Sequence, residues 1–335
     1  MIKKLLLASI AFMLPMLSVT PAFAAAPLCE TNLRQFSAVI DTTTSRVICE
    51  PINPYLRYGV ASVSKTITAL ITLKLVDVGG LKLDQSFIAQ LKPGTLTAPR
   101  DQRWNSVTVR QLLNHSGGLS NYYSWFFNQG TAATFNNSWR TAAARSTSTS
   151  LIYSPGYGYK YSNMNYALLG LLIEQKTATS YPVAAENYIF RNLGIPSNHY
   201  RFVSDYGPVS GADIIHPYWV QWKYSILGPA GGWYLSPRAA ALIMSGFQRR
   251  ILTTPATINY WQKGSTGNGN YGLGNMYYGS GIRGHTGTIA GVRSSVALNL
   301  NYNRSAAILY NGTGYTSGSD MKAPSINLSI NYRYR

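Results

Sequence analysis

Apolar positions recur at helical spacing from Thr66 to Val76, in the run TITALITLKLV, and Gly79-Gly80 closes it. The pattern predicts a helix with Ser62-Val63-Ser64-Lys65 at its head. The same period predicts helices over 107–113, 139–144, 164–176, 182–193 and 237–249, separated by polar loops such as 146–150. Towards the end the period shortens to that of strands, over 271–278, 282–288, 292–300 and 305–310, and 36–41 reads as an early strand. Strands at both ends with helices between predict an α/β (α+β) fold. An antiparallel sheet built from both chain ends is flanked by helices, and a mostly helical subdomain is inserted. The expected boundaries are about 25–83 and 200–335 for the sheet part and about 84–199 for the helical part, as one domain over 25–335. No internal repeat or long linker interrupts it. A catalytic cleft is expected where the two parts meet.

Residues 1–24 stand outside this pattern. Met1-Ile2-Lys3-Lys4 is a basic start, 5–19 is apolar, and Ala22-Phe23-Ala24 fits a small-x-small cleavage site. These features predict a Sec signal peptide cut after Ala24. The apolar run is short for a membrane anchor and is broken by Pro15. Pro27-Leu28 argues against a lipid anchor on Cys29. No later segment is apolar enough to span a bilayer, so the mature chain is expected in the periplasm or outside the cell.

Export changes the reading of the only two cysteines, Cys29 and Cys49. In an oxidising compartment they can pair, closing a loop worth about 3 kcal/mol in the chain-entropy model. Two free thiols are the alternative. Neither has the basic neighbour or helix start that a nucleophilic thiol needs.

Charge narrows the partners. The chain of 335 residues, 46% hydrophobic, carries +18, which falls to +16 once Lys3 and Lys4 leave with the leader. Scarcity of acids, 11 Asp and Glu together, causes this more than abundance of bases. Anionic cell-envelope polymers are the natural partners after export. Lys/Arg blocks, zinc-finger spacing and RNA-binding aromatic signatures are missing, so no nucleic acid is expected. The four His are dispersed and lack ligand spacing, so neither a metal nor another cofactor is expected.

Three short motifs carry candidate chemistry. In Ser62-x-x-Lys65 a hydroxyl and an amine share one helix face. The first turn also offers unpaired N–H groups to a developing oxyanion. Ser319-x-x-Lys322 fits the same pattern, but its Gly/Ser/Thr-rich setting reads as a loop or helix start. Tyr161-x-Asn163 follows Gly156-Tyr157-Gly158. In extended backbone both side chains face one way, the phenol able to relay protons and the amide to fix a substrate. A packing tyrosine and a helix N-cap at Asn163 are the plainer uses. His285-Thr286-Gly287-Thr288 lies in a glycine-rich strand of the kind that marks close backbone approach. The Thr288 N–H could face that of Ser62 and complete an oxyanion hole, with His285 assisting.

S-x-x-K, Y-x-N and [K/H]-T-G in this order resemble the penicillin-recognising serine hydrolases: class C β-lactamases, D-alanyl-D-alanine carboxypeptidases and related esterases. Similarity continues in 107–119 (VTVRQLLNHSGGL), 161–174 (YSNMNYALLGLLIE), 188–195 (YIFRNLGI) and 229–233 (PAGGW), and covers roughly 36–312. The resemblance implies a β-lactamase/transpeptidase-like fold. It implies Ser62 as acylated nucleophile, Lys65 and Tyr161 as the proton-handling pair, and Asn163, His285, Thr286, Gly287 and Thr288 as substrate-binding residues. The Ser62 and Thr288 N–H groups would form the oxyanion hole. Whether Lys65 or Tyr161 is the base stays open at this point. His115, in the family turn, reads as structural. Histidine at 285 and the His-Thr-Gly-Thr sequence look like the carboxypeptidase form, with Arg283 on the same strand face as a carboxylate partner. Arg238-Ala239 stands where relatives commonly place an acid.

The expected function is a secreted serine hydrolase acting on a small acyl donor, a peptidoglycan stem peptide or a β-lactam, with D-Ala-D-Ala carboxypeptidase-type hydrolysis favoured. A β-lactamase or small-ester esterase is the alternative within the fold. A cell-wall peptide or penicillin-binding protein with little turnover is the alternative outside enzymes. The aromatic cluster of 122–127 (YYSWFF) reads as core packing.

Overall fold

The computed structural model describes residues 29, 35–120, 139–203, 214–215, 227–262, 270–279, 281–289, 291–311 and 322–331. Its frame is an antiparallel sheet of six strands: β1 (Gln35–Asp41), β2 (Val47–Cys49), β7 (Met276–Tyr277), β8 (Ile282–Ile289), β9 (Val292–Asn299) and β10 (Arg304–Asn311), ordered β2-β1-β10-β9-β8-β7. Pairing of β1 with β10 in unbroken register, Gln35 with Tyr310 to Asp41 with Arg304, joins the two chain ends.

Alternation along these strands gives the sheet two different faces. Ala38, Ile40, Val296, Leu298, Ala307 and Leu309 join the main hydrophobic core. Helices α1 (Ser64–Asp77) and α6 (Pro237–Ser245) belong to that core. Val39, Ala306 and Ile48 line the other face with the Cys29–Cys49 disulfide. There α8 (Lys322–Asn331) packs over β9 and β10, with Ser325 and Ser295 hydroxyls 2.8 Å apart.

The threonines of α1 point inwards as well as its aliphatic residues, so the helix runs through the core rather than over it. Thr68 Oγ1 donates to the Pro229 carbonyl at 2.7 Å, which satisfies a polar atom that burial would otherwise penalise. Against α1 pack α4 (Asn163–Thr177), α5 (Tyr181–Ala185) and α7 (Pro255–Gln262), while α2 (Val109–Leu113) and α3 (Trp139–Arg145) pack on α4.

The pattern reading and the structure part at short elements. The predicted strand over 271–278 is broken: Gly272 N–H turns back to the Asn275 carbonyl at 2.7 Å, leaving a bridge at Tyr271 and the two residues of β7. Gly274, at φ +84°, sits so close to α1 that an added Cβ would meet that of Ala69. The predicted helix over 182–193 begins as α5 and then widens, with Arg191 N–H donating to the Glu186 carbonyl. A second sheet, ordered β4-β6-β3-β5, was not anticipated. It comprises β3 (Arg57–Gly59), β4 (Tyr200–Phe202), β5 (Ile214–Ile215) and β6 (Trp233–Leu235). Strands this short show no period, and β6 is buried at every residue.

Candidate active site

Ser62 lies in a tight turn, Ala61–Val63, that runs straight into α1. Ala61 adopts φ +44°, a left-handed backbone that costs a non-glycine residue energy and recurs at functional sites. The bend is held by Val60, whose N–H donates to the Trp233 carbonyl at 3.0 Å, and by Val63 N–H to the Val60 carbonyl at 3.1 Å. One helical turn further on, Lys65 is fully buried on the same side.

Three oxygens surround Lys65 Nζ: Ser62 Oγ at 3.1 Å, Asn163 Oδ1 at 2.7 Å and the Ala230 carbonyl at 2.7 Å. Burial pushes the lysine pKa well down, which favours the neutral amine. A neutral amine has two N–H bonds and one lone pair. Asn163 Oδ1 and the Ala230 carbonyl can only accept, so they take the two N–H bonds. The lone pair is left for the Ser62 hydroxyl, the one neighbour of the three that can donate.

Tyr161 and Asn163 enter from the start of α4. Its N-cap is Ser162, whose hydroxyl accepts from Met164 N–H at 3.2 Å, so capping does not occupy the Asn163 side chain. Tyr161 is hydrogen-bonded to Ser62. Burial raises its phenol pKa, against the smaller lowering effect of that bond, so the phenol holds its proton. Lys65 Nζ lies 4.9 Å from the Tyr161 ring centre.

The third motif arrives on β8. Ile282 bonds outward, accepting from Tyr278 N–H and donating to the Gly279 carbonyl. By strand alternation the backbone groups of Thr286 and Thr288 point out of the same edge. β7 pairs only as far as Gly284. A Cβ on Gly287 would lie 3.0 Å from Ser62 N and collide with the Val60 carbonyl and Ser294 Oγ. Glycine there brings β8 against the Ser62 turn, with Thr288 next in line.

His285 is fully buried and both ring nitrogens are committed. Nδ1 lies 2.6 Å from the Thr286 carbonyl and so carries the proton; Nε2 lies 2.9 Å from Tyr271 Oη and accepts from it. Burial, with a smaller contribution from Lys65, pushes the imidazole pKa down to about 3. The ring holds Tyr271 rather than reaching outward. Arg283 stacks on Tyr277, 4.0 Å from the ring centre. It shares a strand face with His285, opposite to that of Thr286.

Thr286 and Lys322 instead line one cavity of about 420 Å³, walled by Tyr159, Tyr271, Met276 and Tyr278. Among the described residues Lys322, not Arg283, supplies its cation. The carbonyl of Ala230, the ring of Tyr271 and the ammonium of Lys322 were not assigned roles from sequence. Ala230 lies in the PAGGW stretch, but nothing in a residue's identity reveals a carbonyl's direction. Arg238 lies 3.9 Å from Glu50, a weak pair. Residues 1–24, where a signal peptide is expected from sequence, residues 122–127 and Ser319 lie outside the described residues.

Comparison with known proteins follows the same lines. The family model Beta-lactamase matches residues 34–329. A putative fimbrial assembly protein FimD of Dichelobacter nodosus is 30% identical over 159 residues, 47% of this chain and 39% of that protein. The chain therefore spans well under half the length of that curated relative. A D-stereospecific amidohydrolase from a Streptomyces species superposes with a TM-score of 0.64 at 24% identity, over 90% of this chain and 94% of that one. A β-lactamase/D-alanine carboxypeptidase from Yersinia pestis superposes with a TM-score of 0.66 at 19% identity, over 88% and 92%. At these identities the two superpositions speak for the fold. The family model spans most of the 335 residues and takes in the Ser62, Tyr161 and His285 motifs; the chain belongs to the Beta-lactamase family, whose members are serine hydrolases.

Proposed function

We propose that the protein is an exported serine hydrolase that forms an acyl-enzyme on Ser62 and cleaves peptides ending in a D-amino acid, in the manner of a D-Ala-D-Ala carboxypeptidase. The observation that carries this reading is the set of contacts around Lys65 Nζ. A neutral amine whose lone pair faces a serine hydroxyl is a general base in position.

Ser62 Oγ attacks the substrate carbonyl and its proton passes to Lys65. The oxyanion forms between the N–H groups of Ser62 and Thr288. As the adduct collapses, Tyr161 donates its phenol proton to the leaving nitrogen and recovers the one held by Lys65. Water then attacks the acyl-enzyme, and the same pair takes its proton and returns one to Ser62 Oγ. A free acid and the restored serine result. Lys65 is thus the base and Tyr161 the proton carrier.

Preference for a peptide with a free carboxylate draws on the cavity shared by Thr286 and Lys322, which is not lined by Ser62 and adjoins the site through Tyr271, whose ring centre lies 6.1 Å from that of Tyr161. A hydroxyl and an ammonium there suit the carboxylate of a leaving residue. The excess of cations suits substrates embedded in anionic envelope polymers.

The test is incubation of the mature protein with a fluorescent penicillin, following intact mass over time beside Ser62→Ala. A lasting adduct on the parent alone is expected. An adduct that forms and clears would make it a β-lactamase. No adduct, with hydrolysis of a nitrophenyl ester, would make it an esterase. No adduct and no hydrolysis of ester or peptide would overturn the acyl-enzyme reading.

A further inference from the structure

His115 is fully buried behind the candidate site, and it grips the segment that carries Tyr161 at three points. Its carbonyl accepts from Lys160 N–H at 3.0 Å. Its ring Nδ1 lies 3.3 Å from Ser162 N–H and 2.8 Å from Asn165 Nδ2. The residues on either side of Tyr161 are therefore tied to one histidine, and so is the first turn of α4. The Tyr161 ring itself leans on the imidazole, centres 4.4 Å apart and planes inclined by 36°.

The geometry also fixes the state of the ring. A backbone N–H can only donate, so Nδ1 is an acceptor and the proton sits on Nε2. Nε2 is buried and has no hydrogen-bond partner among the described residues. Rings of Tyr166 and Tyr271 stand 5.3 Å and 4.7 Å from the imidazole, and that of Tyr159 at 6.0 Å. Burial comes first, with Lys65 and His285 nearby, in pushing the His115 pKa well down. A charged ring would carry a proton on Nδ1 and repel the Ser162 N–H.

His115 also sits at φ +61°, which places its carbonyl and its ring on the same segment at once. The rest of the turn follows suit: Gly156 N–H donates to the Ser116 carbonyl at 2.8 Å, and Ser162 Oγ to the Ser120 carbonyl at 2.9 Å. An ordinary core histidine fills space. This one supplies an acceptor where a loop needs its backbone held.

We infer that His115 is a positioning residue for Tyr161: its Nδ1, kept as an acceptor, sets the backbone on both sides of the phenol and thereby aims the phenol at Ser62. The consequence for turnover rests on the acyl-enzyme reading. The consequence for the phenol does not.

Two variants separate the acceptor from the volume it fills. Asparagine tolerates positive φ and places a carbonyl oxygen near the position of Nδ1; glutamine places it near Nε2 instead. Tyr161 would be followed by ¹³Cζ-tyrosine NMR, its signal assigned by loss in Tyr161→Phe, beside melting curves and the pH profile of acylation by fluorescent penicillin. His115→Gln is expected to shift the Tyr161 signal and to lower the maximal acylation rate by about 100-fold at near-constant half-saturation, as for a reacting group displaced by about 1 Å. His115→Asn is expected to restore most of both. If the folded glutamine variant keeps the Tyr161 signal of the parent, the inference is overturned. It is also overturned if the two variants lose rate equally and in step with melting temperature. If His115→Gln does not fold, Asn165→Leu removes one of the two donors and is read in the same way. A parent that takes no penicillin counts against the acyl-enzyme reading alone, and the NMR arm still decides the role of His115.

Discussion

Lys65 Nζ stands 3.1 Å from Ser62 Oγ, and its two closer neighbours, Asn163 Oδ1 and the Ala230 carbonyl, are both acceptors. The pair is a base and its target only while the amine is unprotonated. Because burial lowers the lysine pKa, that form prevails well below the pH at which an ordinary lysine gives up its proton. Acylation by fluorescent penicillin should rise with pH through the lowered pKa and then level off. Lys65→Met should lose about 10²- to 10⁴-fold in rate, the usual worth of a general base, at every pH. A residual acid limb in that variant with the same midpoint would assign the titration to another group.

Gly287 tests the contact between β8 and the nucleophile. An added methyl meets the Val60 carbonyl and Ser294 Oγ, and Ser62 N at 3.0 Å. Backbone and a tethered hydroxyl cannot step aside, since Ser294 Oγ donates to that same carbonyl at 2.6 Å. Gly287→Ala should cost about 1–3 kcal/mol in stability by overpacking. It should also move Thr288 away from Ser62, so acylation falls further than the stability loss requires. Melting curves and labelling rates measured together decide this. A variant that melts lower but labels at the parental rate would separate Gly287 from the oxyanion hole.

How much of this was legible in the chain depended on element length and on what a residue type can reveal. The helix after Ser62 and the strands over 282–288, 292–300 and 305–310 spoke through their period, and each was found within a residue or two. The three-residue strands of the second sheet carry no period. Chemistry divided in the same way. Ser62, Lys65 and Tyr161 were named by motif, and the structure draws them together. Whether Lys65 is charged depends on burial and on a carbonyl contributed by residue 230, which no local pattern encodes. Arg283 stands two residues before His285, and a strand puts those two on one face and Thr286 on the other. The cation on the Thr286 side comes from residue 322, brought there by a helix that the sequence showed only as a loop or helix start.

Lys322 gives that difference an outcome. It shares the cavity with Thr286 and lies 4.5 Å from the Tyr278 ring centre, so its ammonium is held against that ring. Under the proposed function it meets the leaving residue's carboxylate. Lys322→Met should raise the half-saturation concentration for a D-Ala-D-Ala peptide acid by about 10-fold, the size of one charge-assisted contact, and leave a neutral nitrophenyl ester almost untouched. Equal losses on both substrates would mean that the lysine supports the fold instead. The same measurement on Arg283→Met should show no such preference.

Asp77 lies away from this chemistry, at the end of α1, and its pH response has a definite sign. Its side chain is fully buried beside Lys74 Nζ at 3.1 Å. Burial opposes its ionisation. Hydrogen bonds from the hydroxyls of Thr253 and Thr257 and the N–H groups of Thr253 and Thr254 outweigh burial and hold the carboxyl well below the usual range. Together they pin the start of α7 to the end of α1. The folded state then binds fewer protons than the unfolded chain between the lowered pKa and the ordinary one. Stability from Asp77 is complete above about pH 5 and drains away as pH falls through the ordinary value, near 4, towards the folded one. Asp77→Asn keeps the size and one acceptor but loses the charge, at an expected cost of about 1–3 kcal/mol at neutral pH. Urea unfolding of parent and variant at about pH 7, 5 and 3 isolates this carboxylate, because every other titrating group cancels in the difference. The gap should be constant between the first two and narrower at the third. A gap that stays the same at all three would mean that shape, not charge, holds the two helices together.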